Sequence, residues 1–180
     1  MAVDVPAFAA VVHPDQGDVD ALVSRFAHSL QQRGWRVRGL VQMHAGCAEG
    51  CAPNIELMDL VGSGRYSISQ DLGRGSESCA IDAGRLAAAG GVLRHALDDG
   101  VDLAIANRFG KLEADGEGLT SEILALLSEG VPVLTIVSDK HLERLREFGG
   151  DMLTLLEPRI EALEAWFASL GLKREAESTP

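Results

Sequence analysis

The sequence predicts a three-layer α/β sandwich built on a mostly parallel sheet. Three observations carry that expectation. Short apolar runs at residues 7–12, 101–106 and 131–137 have the length and β-branched content of strands covered on both faces. Helix-period apolar stripes separate them. The strand–helix–strand spacing of the first forty residues is that of a βαβ unit, which elementary chirality makes right-handed.

Taken in order, residues 7–12 form the first strand, and the polar run from His13 to Asp18 turns the chain. Val19, Leu22, Val23, Phe26, Ala27 and Leu30 then lie on one helical face, with Asp18 as N-cap and Gly34 as terminator. Residues 35–41 make a second strand. A long Ala-, Gly- and Cys-rich loop occupies residues 42–54. Residues 55–60 and 66–69 flank Gly62-Ser63-Gly64, a hairpin signal inserted into the α/β pattern.

After an irregular stretch over residues 70–79, Asp82 caps a helix expected over residues 83–97, which Gly90-Gly91 weakens while permitting close packing. The strand at 101–106 precedes a helix at 119–127 ending near Gly130. The run 131–137 is another buried strand. Ser138 is placed as the cap of a helix over 139–148, stopped by Gly149-Gly150. Pro158 opens the last helix, which carries Ile160, Leu163, Trp166, Phe167 and Leu170. Residues 1–172 are expected to form one α/β domain and residues 173–180 a disordered polar tail.

Composition narrows the function. With 27 acidic against 16 basic residues the net charge is −11, which disfavours nucleic-acid binding driven by counterion release. Aromatic content of 4% offers no base-stacking platform. No basic segment precedes the apolar run at 7–12 and no run is long enough to span a bilayer, so neither export nor a membrane partner is expected. Three cysteines, an odd number, do not form a secreted disulfide framework, so the cytoplasm is the expected location. Self-association as a homo-oligomer stays open.

Chemistry concentrates in Asn107-Arg108-Phe109-Gly110-Lys111-Leu112-Glu113, which is read as opening directly off the strand at 101–106. The C-terminal ends of parallel strands are where open α/β sheets hold ligands. Arg108 offers a fork of donors, Lys111 a point charge, and Gly110 an approachable backbone, all suited to a small anionic ligand. The plainer alternative is a set of exposed ion pairs with Glu113 or Asp115. Gly73, Arg74, Gly75, Ser76 and Ser78 form a second donor-rich loop that could share the same anion. His44, Cys47, Cys51 and Cys79 are a third constellation, soft ligands for a metal or labile thiols. Glu113, Asp115 and Glu117 weaken an anion site unless they point elsewhere.

The first turn, His13-Pro14-Asp15-Gln16-Gly17-Asp18-Val19-Asp20, holds one glycine, no lysine and three carboxylates. It reads as a capped turn with a solvated acidic face. No Gly-Lys-Ser or Gly-Lys-Thr occurs anywhere in the chain, so the lysine and hydroxyl that a phosphate loop needs are missing.

The segment 107–113, with Gly39-Leu40-Val41-Gln42 and Gln70-Asp71-Leu72-Gly73-Arg74-Gly75-Ser76, resembles an uncharacterised bacterial family grouped by fold with the P-loop nucleoside triphosphatases. Some of its members are connected with molybdate handling. More distantly, 107–113 looks like the Asp-Glu-Ile-Gly-Lys-Met-Glu segment of small archaeal-type nucleotide triphosphatases. That resemblance implies a P-loop NTPase-like fold and a molybdate or tungstate ligand, or failing that ATP with magnesium. Asn107 and Arg108 stand where the segment has magnesium-associated acids, so a non-catalytic binding protein is the first expectation. A divergent triphosphatase acting on ATP or GTP is the alternative, and a Cys/His metal or redox module the third.

Overall fold

In the computed structural model, residues 7–13, 18–44, 55–62, 64–69 and 81–173 are described; among these the side chain of His44 is not. Seven strands form one sheet in the order β4-β3-β2-β5-β6-β1-β7. They are β1 (Phe8–His13), β2 (Val37–His44), β3 (Ile55–Asp59), β4 (Arg65–Ser67), β5 (Leu103–Phe109), β6 (Val133–Ser138) and β7 (Leu153–Leu156). Strands β2, β5, β6, β1 and β7 pair in parallel, while β3 and β4 add an antiparallel hairpin at one edge.

Helices α1 (Val19–Gln32) and α7 (Ile160–Ser169) cover one face of the sheet, where Val23, Phe26, Leu163 and Phe167 pack on Ala9, Val11, Leu103 and Ile105. On the other face Leu86, Leu93, Ile123 and Leu145 pack on Phe8, Ala10, Ala104 and Ala106. These come from α2 (Ala83–Ala89), α3 (Gly91–Asp99), α5 (Thr120–Ser128) and α6 (Leu142–Gly149). A one-turn helix, α4 (Lys111–Ala114), bridges β5 and α5. Leu103–Ala106 are fully buried, as a central strand with helices on both sides requires.

Most elements follow the sequence expectation. The Asp18 carboxylate caps α1 by accepting from the Ala21 amide at 2.9 Å, and Asp82 caps α2 from the Arg85 amide at 2.9 Å. Several expectations change, among them the loop expected from residue 42, since β2 runs on to His44. The helix expected over 83–97 is two helices broken at Gly90; a Cβ there would lie 3.1 Å from Glu122 Cδ, so the glycine admits α5 to the junction. Ser138 makes no capping bond, and a tight turn over Asp139–His141 precedes α6. Leu153–Leu156, unassigned from sequence, is an edge strand on β1. The strand expected over 101–106 begins at Leu103 and continues to Phe109, which places Asn107 and Arg108 inside it.

Candidate functional site

That last change determines what Arg108 can do. Side chains alternate across a strand, so Leu103 and Ile105 face α1 while Ala104 and Ala106 face the opposite layer. Uninterrupted alternation would send residue 108 with 104 and 106. Instead Ile105 pairs with Leu134 and Arg108 with Ile136, so β5 gains one residue on β6 in a β-bulge. The extra residue inverts the phase. Phe109 joins the layer of α5 and α6, and Arg108 turns toward α1.

Asn107 sits at the bulge with φ +20°, the one non-glycine residue with positive φ among the described residues. Such a conformation costs of order 1–3 kcal/mol and persists where the surroundings impose it. Thr135, fully buried on β6, imposes it by donating its hydroxyl to the carbonyls of Ala106 at 2.7 Å and Asn107 at 3.3 Å. Asn107 is 6% exposed, and its Oδ1 is buried with no hydrogen-bond partner among the described residues.

Arg108 donates to Asp20 through both Nε, at 3.2 Å to Oδ1, and Nη2, to Oδ2. Asp20 is 3% exposed in the first turn of α1. The first turn of α1 is therefore not a uniformly solvated acidic face: one of its carboxylates is inside, fastened to the end of the central strand. This bidentate pair holds the guanidinium plane by one edge. Its Nη1 makes no hydrogen bond among the described residues, and the side chain stays 26% exposed.

The other residues of the motif separate from this pair. Lys111 is exposed and lies 3.8 Å from Asp115, an i,i+4 pair worth about 0.3–0.5 kcal/mol. Glu113 points inward: Oε2 accepts from the Gly110 amide at 3.0 Å and Oε1 from the Leu119 amide at 3.2 Å. The Gly110 amide, expected to face a ligand, is thus taken by the chain's own carboxylate. Asp115 and Glu117 face solvent. Glu113 staples both ends of the β5–α5 connection, and a Cβ on Gly118 would lie 2.4 Å from its Oε1.

Burial, opposed by these backbone donors, pushes the Glu113 carboxyl above its ordinary 4.5. The folded state then binds the proton more tightly than the unfolded chain. Glu113 therefore contributes stability that is full below about pH 4.5 and declines as pH rises through its raised value. In Glu113→Gln that component disappears. Urea unfolding should show the wild type's advantage over the variant shrinking from pH 4 to pH 7; an advantage that grows with pH would contradict the burial argument.

Two features escaped sequence reasoning. Asp20 gave a weak signal, an acid flanked by the apolar positions Val19 and Leu22. His13, at the C-terminal end of β1 beside Ser138, carries a buried Nδ1 with no partner among the described residues. A cavity of about 270 Å³ lies next to the Arg108 pair, between the first turns of α1 and the ends of β2 and β3, lined by Asp18, Asp20, Ser24, Gln42 and Met58. Gly73, Arg74, Gly75, Ser76 and Ser78, with Cys47, Cys51 and Cys79 of the expected metal set, lie outside the described residues. So does the side chain of His44. Among the described residues no group of three or more His, Cys, Asp or Glu is placed to hold a metal ion. No helix there is long and apolar enough to cross a membrane.

The architecture is shared with proteins of solved structure. A human cancer-related nucleoside triphosphatase superposes with a TM-score of 0.66, covering 94% of this chain and 98% of that one at 16% identity. THEP1 from the hyperthermophile Aquifex aeolicus gives 0.60, covering 91% and 95% at 14% identity. At such identities the likeness is one of fold, P-loop NTPase-like. In sequence, a Bradyrhizobium diazoefficiens protein named molybdenum import ATP-binding protein ModC 2 is 36% identical over 177 residues. The match covers 97% of this chain but 20% of that protein, so the chain spans about a fifth of its relative's length. The family model described as "protein of unknown function (DUF2478)" matches residues 8–166, from the first residue of β1 into α7 and through both the bulge and the Glu113 staple. This chain belongs to the DUF2478 family.

Proposed function

We propose that the chain binds a small oxyanion of the molybdate or tungstate class, or a phosphorylated small molecule, at the C-terminal edge of its parallel sheet. The observation that carries this reading is the bulge at Asn107–Arg108. A strained residue with an unpartnered buried amide oxygen, beside a guanidinium held by one edge only, is an expensive arrangement for a purely structural strand end. Rotation of the Asn107 amide exchanges Oδ1 for the donor Nδ2. Arg108 Nη1 and Asn107 would then supply donors from adjacent residues, with Arg74, Lys111 and the amides around Gly73, Gly75, Ser76 and Ser78 as the further cationic and backbone donors. The name of the molybdenum import relative supports the choice of anion. Cytoplasmic residence belongs to the same reading.

Arg108→Lys tests it, because lysine keeps the charge opposite Asp20 but loses the planar fork. Calorimetric titration with molybdate, tungstate and phosphate should show binding to the wild type and a loss of roughly tenfold or more in the variant. Equal affinities, or no binding by the wild type, reject the reading.

The fold likeness to nucleoside triphosphatases favours a second reading, hydrolysis of ATP or GTP with magnesium, with Lys111 or Arg74 replacing the missing phosphate lysine. Against it stands Arg108, whose positive charge occupies the strand end where a carboxylate would tether the metal. Magnesium-dependent phosphate release that disappears in Lys111→Ala supports this alternative; no turnover above background ends it.

A further inference from the structure

We propose a second ligand site, for a small aromatic monoanion, at the opposite, N-terminal edge of the sheet. A cleft of about 430 Å³ opens there, a volume within the range of small-molecule sites. Its apolar lining comes from Trp35 and Val37 at the start of β2, Leu60 and Val61 after β3, and Val101 before β5. Val61, 47% exposed, is one of two large hydrophobic side chains left exposed among the described residues. Trp35 is fixed from behind, its ring edge-on to Phe167 at 5.1 Å.

The polar lining defines the ligand's head. Arg38 donates from Nη1 to Asp99, but its Nε is buried without an acceptor among the described residues. A buried donor left unmade is destabilising, and a ligand acid oxygen would relieve it. Asp99 is 62% exposed, so its grip on Arg38 is a surface one and the guanidinium can turn toward a guest. Arg36 is bonded to Asp102 as Arg38 is to Asp99, so the two cations are already matched by carboxylates. A dianion therefore gains little over a monoanion, and apolar contact supplies most of the affinity. This site does not depend on the oxyanion reading, since it uses different residues at the other end of the strands.

Anilinonaphthalene sulfonate, an aromatic monoanion, is the probe. The full chain should bind it saturably, with emission sensitised by Trp35. Val61→Glu, a change at an exposed position, should weaken binding roughly tenfold, and Arg38→Met should do likewise. Trp35→Phe should retain affinity while losing most of the sensitised emission. Saturating molybdate should leave the probe in place. Equal binding by wild type and Val61→Glu, with circular dichroism unchanged, overturns the proposal, as does displacement of the probe by molybdate or failure of the wild type to bind it.

Discussion

Replacing Gly39 by alanine is expected to remove more than about 4 kcal/mol of stability, in the range reserved for the most damaging single substitutions. Gly39 lies in β2 opposite Ile105 of β5, with φ +149°. A Cβ built there falls 2.1 Å from the Ile105 carbonyl oxygen and 2.7 Å from its amide nitrogen. Both atoms are backbone of the central strand, so no rotamer change relieves the contact. Relief requires β2 to part from β5, and among the described strands β2 joins the β3–β4 hairpin to the rest of the sheet. The Gly39 carbonyl also accepts from the Leu60 amide at 3.0 Å, so the strain reaches the exit of β3. Since domains of this size are stable by about 5–15 kcal/mol, the variant should be largely unfolded or sharply destabilised in urea. Gly62→Ala is the comparison: φ is +122° but nothing among the described residues lies within 4 Å of the added Cβ. That substitution carries backbone strain alone, about 1–3 kcal/mol. Similar urea midpoints for the two variants would show that the close approach of β2 to β5 is not what the glycine permits.

What could be read from the sequence divides along the range of the interactions. The stripe Val19 to Leu30 with Asp18 before it is a local pattern, and α1 with its cap follows. The apolar run at 131–137 and the Gly62-Ser63-Gly64 turn are equally local, and yield β6 and the β3–β4 hairpin. The strand Leu153–Leu156 is four residues long at a sheet edge, too short for periodicity to separate it from a loop. Gly90 breaks a helix that the apolar spacing alone would continue, because the helix junction must accommodate Glu122 from α5.

The geometry of the candidate site was legible in part for the same reason. A cationic motif at a strand end is visible locally, and Arg108 and Asn107 do mark the end of β5. The bulge is not visible, because it depends on Thr135 of the neighbouring strand. Asp20, separated from Arg108 by 88 positions, cannot be assigned to it by any local rule. Its appearance as one acid among several in a polar turn concealed a buried partner. The inward turn of Glu113 was equally hidden, since its amide donors come from Gly110 and Leu119 on either side of a connection whose shape the carboxylate itself maintains.

Arg108→Met is expected to cost about 3–5 kcal/mol, well beyond what an exposed ion pair returns. The reason is the burial of its partner: Asp20 is 3% exposed, so removing the guanidinium leaves a carboxylate charge in a poorly solvated position. The paired variant Arg108→Met with Asp20→Leu should recover most of that loss. Two apolar side chains avoid the desolvation of both ions, and Asp20 is already buried next to the core residue Val19 in the first turn of α1. A double-mutant cycle by urea unfolding reads the coupling directly, and a value below about 1 kcal/mol would show the pair to behave as a surface contact. The cycle also separates the structural role of Arg108 from its proposed binding role. If the guanidinium serves only to neutralise Asp20, the recovered double variant should be indistinguishable from wild type in every titration. If its free edge holds an oxyanion, the double variant should be as stable as wild type yet fail to bind molybdate. Stability restored without binding is therefore the result expected here, and stability restored together with binding would move the anion away from Arg108 altogether.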